Sequence, residues 1–270
     1  MTPEPAPPDL TEDAFLGGRV RILQPAKGYR AGVDAVLLAA TVAARSWKPQ
    51  HRVLDVGAGV GTVGLCIAAR LAHAHVVLME REPELSKLAA RNVALNGLND
   101  RVAVATARVG GTALELQSAQ LEEQHYDDVV ANPPYHSSGK GTSAPNAIKA
   151  ASHEMPDADL DTWVRFMTRM AKPDGHATMV HKAEALALVL QAMRGRFGAI
   201  RVLPVYPRDG EPASRIIVRG TKGSRAPLQV LPPVVLHGAG NAFLPNAAAI
   251  FREATYLPLE SEQAPARKDR

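Results

Sequence analysis

Val53-Leu-Asp-Val-Gly-Ala-Gly-Val-Gly-Thr62 runs from an apolar stretch into alternating glycines and then into a helix-forming segment. A strand over 51–56 that ends in such a turn lets backbone come close to a ligand, because glycine has no Cβ to obstruct the approach. Outward from this stretch, strand-like and helix-like segments take turns. Further strands are expected over 19–24, 75–80, 101–107, 126–131 and 176–180. Helices are expected over 62–71, 83–96, 159–171 and 184–193, with Gly97 just past the second. Another helix opens at Asp34, whose carboxylate suits an N-cap. The alternation predicts a doubly wound α/β domain with a mainly parallel sheet. The runs over 199–206 and 214–220 read as an antiparallel hairpin at the edge of that sheet.

Composition bounds the function classes. A chain of 270 residues with 46% hydrophobic content can bury one sizeable core. The expected organisation is a disordered tail over 1–12, rich in proline, one domain over 13–257 and a charged tail over 258–270. The chain shows neither an apolar run of roughly 18 residues nor the layout of a signal peptide, so a cytoplasmic protein without a membrane partner is expected. A single cysteine, Cys66, excludes an internal disulfide and reads as packing on the apolar side of its helix. Nine histidines without ligand-pair spacing predict no metal. A net charge of +4 and a pI of about 9.3 are compatible with an acidic partner and do not identify one.

The glycine turn admits two ligands. Gly59-Val-Gly61-Thr-Val-Gly64 fits a dinucleotide fingerprint, and Glu80 lies about 20 residues on, where a ribose-binding acid belongs. If the strand ends at Val56, however, the first turn glycine is Gly57, and Thr62 occupies the place of the third. That register suits S-adenosylmethionine better. This donor has no pyrophosphate to cradle; Asp55 or its loop can face its ammonium group and Glu80 its ribose. Asn132-Pro-Pro-Tyr135 then separates the readings, since it follows the fourth strand, at the end of the sheet where open α/β folds bind ligands. An exocyclic amine or amide nitrogen is a poor nucleophile because its lone pair is delocalised. The Asn132 side-chain oxygen and the Pro133 carbonyl can accept its hydrogens and draw it toward tetrahedral geometry, Pro133 and Pro134 stiffen the loop, and Tyr135 offers a ring for stacking.

These segments resemble the amino-methyltransferases that carry an Asn-Pro-Pro-Tyr loop and act on adenine, guanine or glutamine nitrogens. Within that group the likeness is greatest to the bacterial valine-tRNA adenine-N6 methyltransferases. It rests on Leu23-Gln-Pro-Ala-Lys-Gly-Tyr-Arg-Ala-Gly-Val-Asp-Ala-Val-Leu-Leu38, on the two motifs above, and on Ala213-Ser-Arg-Ile-Ile-Val218 with Leu231-Pro-Pro-Val-Val-Leu-His237. The resemblance implies a Rossmann-like class I fold with a seven-stranded sheet, S-adenosylmethionine as cofactor, and tRNA or another structured RNA as partner. It makes Gln24, Lys27, Gly28, Tyr29, Arg30 and Asp34 a lid and wall around the donor. Asp55, Gly57, Gly59, Glu80 and Asn132 become donor-binding, and Asn132, Pro133, Pro134 and Tyr135 the catalytic loop. The sequence departs from the pattern at Ala105-Thr-Ala-Arg-Val109, where relatives often place an acid for the adenine amine. A protein-glutamine methyltransferase and a nicotinamide oxidoreductase stay open as alternatives.

Two basic clusters stand out. Arg165, Arg169 and Lys172 recur at helical spacing opposite Leu160, Trp163, Val164 and Met167, as a solvated face does. Arg215 and Arg219 share one face of a strand and are followed by Lys222 and Arg225, which makes these four the candidate nucleic-acid contacts. The aperiodic segment over 136–156 is expected to be a lid that orders on binding.

Overall fold

A computed structural model describes residues 9–27, 30–43, 50–134, 159–257 and 259. The chain opens with a separate two-stranded hairpin, β1 (Leu10–Phe15) and β2 (Val20–Pro25). Helix α1 (Val33–Ala40) leads toward the central sheet. Its core is parallel, with β3 (His51–Val56) between β4 (Ala74–Glu80) and β6 (Tyr126–Ala131). Outside these lie β5 (Val102–Thr106), beside β4, and β7 (Ala171–Lys182), beside β6. Next to β7 comes β9 (Arg215–Lys222), antiparallel both to it and to β8 (Phe197–Arg208). The outer edge of β8 is covered by β10 (Gln229–Val230) and β11 (Val234–His237).

Helices cover both faces, which is why β3 and β6 are buried almost throughout, the polar residues His51, Asp55, Asp127 and Asp128 included. On one face α1, α2 (Thr62–Arg70) and α3 (Pro83–Leu95) bury Leu37, Leu65 and Leu88 with the β1–β2 hairpin. On the other, α4 (Ala113–Ser118), α5 (Asp159–Met170) and α6 (Leu186–Met193) bury Leu116, Met167 and Val189. Near the end of the domain, α7 (Pro245–Ala248) and the turn after it return Ala247 and Ile250 to the first core.

Several expectations need correction. The strand β1 starts at Leu10, so the part of the assigned tail over 10–12 is folded. The strand pairs with β2 along its length, with a two-pronged bond from Arg21 to Glu12 on the exposed side and Leu10 and Phe15 packed against the first core. Likewise Leu259, placed in the charged C-terminal tail, is fully buried in the first core. The N-cap of α1 is Gly32; Asp34 sits in the first turn. The antiparallel pair β8–β9 is present on the edge side as expected, and the short strands β10 and β11 beside β8 bring the seven-stranded sheet to nine. Helix α4 has the capping box of Thr112 and Glu115, a Thr-x-x-Glu signal that the sequence reading passed over. Lys172 belongs to β7 and pairs with the buried Asp127, not to the helical stripe. The expected lid over 136–156 lies outside the described residues.

Candidate functional site

Strand register aligns the chemistry along one end of the sheet. Val56 pairs with Ala131 on one side and Met79 on the other, and Glu80 pairs with Thr106. The residues next in line are therefore Asn132, Gly57, Glu80 and Thr106, on strands spaced about 4.8 Å apart. Gly57, Gly59 and Gly61 all have positive φ, of 69°, 57° and 90°, so the turn between β3 and α2 is a left-handed zigzag that residues with a side chain would strain. Beside Gly59 nothing lies within 4 Å of where a Cβ would stand, which leaves the turn open at its middle.

Two carboxylates support this turn from different sides. Glu80, 7% exposed, accepts from the Gly59 N–H at 2.8 Å and from the N–H groups of Arg81 and Glu82 at 2.8 and 2.9 Å. Asp55, 1% exposed, accepts from the Gly64 N–H at 2.9 Å. Gly64 is the third residue of α2, and the helix begins after Gly61, which has no side chain to cap it. Asp55 thus supplies from the neighbouring strand the cap that the turn lacks. Burial raises its carboxyl to about 7, opposed by the Gly64 bond and helped by repulsion from Glu80. A pyrophosphate at the start of α2 needs its N–H groups free, and the one on Gly64 is already taken by the Asp55 carboxylate, which weighs against the dinucleotide reading. A donor with hydroxyls for Glu80 and a cationic arm fits this charge pattern and the open backbone beside Gly59.

The wall residues assigned by resemblance have partners within the fold. Gln24, 1% exposed, donates to Asp13 at 2.8 Å and accepts from the Ala31 N–H at 2.9 Å. Arg30 donates to Asp13 and Thr11 at 2.6 and 2.8 Å. Asp34 accepts from Arg215 at 2.9 Å. These bonds tie the hairpin, the entry to α1 and the start of β9 together. Lys27 is exposed, and Gly28 and Tyr29 lie outside the described residues. Asn132 and Pro134 are half-buried and Pro133 is buried, directly after β6; Tyr135 lies outside the described residues.

The four proposed RNA contacts do not form one patch. Arg219 is 3% exposed and donates to Thr178 and to the Thr41 carbonyl at the C-terminus of α1, so it is a core residue. Lys222 donates to the Ala171 carbonyl at 2.7 Å, where β7 begins, which is the end of the sheet away from Asn132. Arg225 follows it. Only Arg215, level with Lys182 in the β7–β9 register, stands at the acceptor end. The sequence reading missed Trp163 as a site residue and grouped it with the core stripe of α5. An ideal Cβ on Gly57 would lie 2.6 Å from the edge of its indole ring. Asn92 of α3 was also passed over. Its amide donates to the carbonyls of Val60, in the glycine turn, and Leu23, and accepts from the Leu23 N–H. Among the described residues no group of acidic, histidine or cysteine side chains could hold a metal, and no helix is long and apolar enough to cross a membrane.

Comparison with known proteins agrees with this geometry. Residues 31–158 match the model of the methyltransferase small domain family. The fold resembles the crystal structure of a predicted O-methyltransferase from Agrobacterium tumefaciens, with a TM-score of 0.69 and 29% identity over 83% of this chain and 98% of that one. A curated relative from Porphyromonas gingivalis, named tRNA1(Val) (adenine(37)-N6)-methyltransferase, is 26% identical over 72% of this chain and 77% of its own length. One of the same name from Erwinia tasmaniensis is 30% identical over 70% of this chain and 74% of its own. With glycine turn, acidic strand end and Asn-Pro-Pro exit aligned on one sheet end, and with this extent of identity, the chain belongs to the tRNA1(Val) (adenine(37)-N6)-methyltransferase family.

Proposed function

We propose that the protein transfers a methyl group from S-adenosylmethionine to the exocyclic N6 of an adenine in a tRNA, the activity its curated relatives are named for. The observation that carries this reading is the position of Asn132: it leaves β6 beside Gly57, the residue that follows the paired strand β3, and Glu80 lies on the strand beyond. S-adenosylmethionine, when bound, supplies a methyl group made electrophilic by its sulfonium. The remaining work falls to the chain. Glu80 takes the ribose hydroxyls while its bond to the Gly59 N–H keeps the turn open, and Asp55 acts from beneath by fixing α2. The Asn132 side-chain oxygen and the Pro133 carbonyl accept the two hydrogens of the amine and orient its lone pair toward the methyl carbon. Positive charge develops on that nitrogen as the bond forms, so a proton leaves readily afterward and no strong base is needed; orientation and acceptor dipoles do most of the catalysis. Tyr135 takes the face of the base, which must be turned out of the folded RNA to reach the cleft. Phosphate contacts come from the acceptor end of the sheet, where Lys182, Arg208 and Arg215 stand at the ends of β7, β8 and β9.

The test gives labelled donor and enzyme to bulk unmodified tRNA in one tube and to soluble protein extract in another, followed by digestion of the RNA to nucleosides. Label in N6-methyladenosine is the expected result. Label confined to protein would transfer the reading to glutamine acceptors, and label on a ribose or other oxygen would match the description of the Agrobacterium structure instead.

A further inference from the structure

Helix α5 touches the donor loops at two consecutive residues. The far edge of the half-buried Trp163 indole, at Cη2 and Cζ3, lies 2.6 and 3.2 Å from where a Cβ on Gly57 would stand. The Thr162 methyl group lies 3.5 Å from the corresponding point on Gly110, in the loop that leaves β5. About two turns further along, Arg169 donates to the Gly111 carbonyl at 2.8 Å and anchors the same loop. Register places Glu80 between these contacts, since its strand separates β3 from β5. The two loops that flank the donor's acidic residue therefore rest on one rigid surface. Gly57 is required there twice over, by its φ of 69° and by the ring that fills the space of a side chain.

We infer that Trp163 is a positioning residue of the donor site, whose indole sets the height of the glycine turn through Gly57. The inference rests on the donor reading above and adds a residue outside the family motifs quoted for it. The physical reason is that the turn alternates three positive-φ glycines with Ala58 and Val60, whose side chains pack into the first core, so at Gly57 itself the turn has no side chain with which to pack. Its shape is set by what it leans on: Glu80 at Gly59, Asn92 at Val60 and Trp163 at Gly57. Removing the ring leaves a void beneath the one residue of the turn that follows directly on β3, and the backbone can sink into it.

The sequence has two tryptophans, so Trp47→Phe leaves Trp163 as the only indole and its emission as a local probe. Titration of that variant with S-adenosylhomocysteine is expected to change the emission intensity or maximum, saturating at the calorimetric affinity. Trp163→Ala is expected to weaken S-adenosylhomocysteine binding about tenfold and to raise the KM for the donor while leaving the KM for tRNA unchanged, and Trp163→Phe to restore most of the affinity. Emission that stays constant at calorimetric saturation overturns the inference and leaves the donor reading standing. So does a folded Trp163→Ala enzyme with unaltered donor affinity, or one in which donor and tRNA affinities fall together. If S-adenosylhomocysteine gives no heat with the wild-type enzyme, the donor reading itself fails and the inference with it. Should Trp163→Ala not fold, the emission titration, which keeps Trp163 intact, decides alone.

Discussion

Asp55 couples the site to pH. Its carboxyl titrates near 3.8 when solvated and at about 7 in the folded protein, chiefly because burial penalises the charge. Between those values the native state holds a proton that the unfolded chain releases, so this group's contribution to stability falls as pH rises from about 4 to about 7, and its full cost is present above. Asp55→Asn keeps an oxygen for the Gly64 N–H and removes the charge. The variant is expected to gain on the order of 1–3 kcal/mol over wild type at pH 8 and nearly nothing at pH 4, measured by urea unfolding. A gain of the same size at both would refute the burial explanation. Glu80 differs, because its oxygens hold three backbone N–H groups at the rim of the open turn. Glu80→Ala should weaken S-adenosylhomocysteine binding by about 1.5–3 kcal/mol, the scale for hydrogen bonds to a charged group, and calorimetry reads it directly. For Asn132→Ala the loss belongs to chemistry: donor affinity should hold and single-turnover methylation should slow at least ~100-fold. Near-normal turnover would relocate the acceptor.

At the level of elements, Arg219 shows how far a pattern carries and where it stops. Its place on one face of a strand with Arg215 was readable, but its role was not, because its partners Thr178 and Thr41 lie 41 and 178 residues away. The guanidinium joins β9 to β7 and to the carbonyl end of α1, where a cation also meets the negative pole of the helix. Arg219→Met is expected to lower stability by roughly 1.5–3 kcal/mol without changing tRNA affinity, in thermal unfolding and filter binding respectively. The strands β3 and β6 were legible from the short β-branched and apolar runs around Val53-Leu54 and Val129-Val130-Ala131, and the site motifs because each stands directly after one of these strands. What stayed hidden has two causes. The core role of Arg219 and the contact of Trp163 with Gly57 depend on neighbours distant in the chain, of which local composition carries no record, whereas the cap of α4 was a local signal.

Across the whole molecule, charge is split between the two ends of the sheet, and only one end faces the acceptor loop. Lys222 and Arg225 sit at the far end, so replacing both with alanine should leave the salt dependence of tRNA binding as it is. Lys182→Ala and Arg208→Ala should each reduce the logarithmic salt slope by about 0.7–0.9, the loss of one phosphate contact. The reverse outcome would place the RNA on the opposite end. The asparagines of α3 act at this same scale. Asn92 and Asn96 bond the backbone of Leu23 and Arg21, so a helix closes the free edge of β2 in the way a strand would, across 69 and 75 residues of chain. Such an edge cannot close until α3 has formed and reached its place. The hairpin must then be among the later parts to dock during folding, since long loops delay the contacts they join. Removing the amide at Asn92 is accordingly expected to accelerate unfolding and to leave the refolding rate almost untouched, so the hairpin is held in place by a slow exit rather than a fast entry.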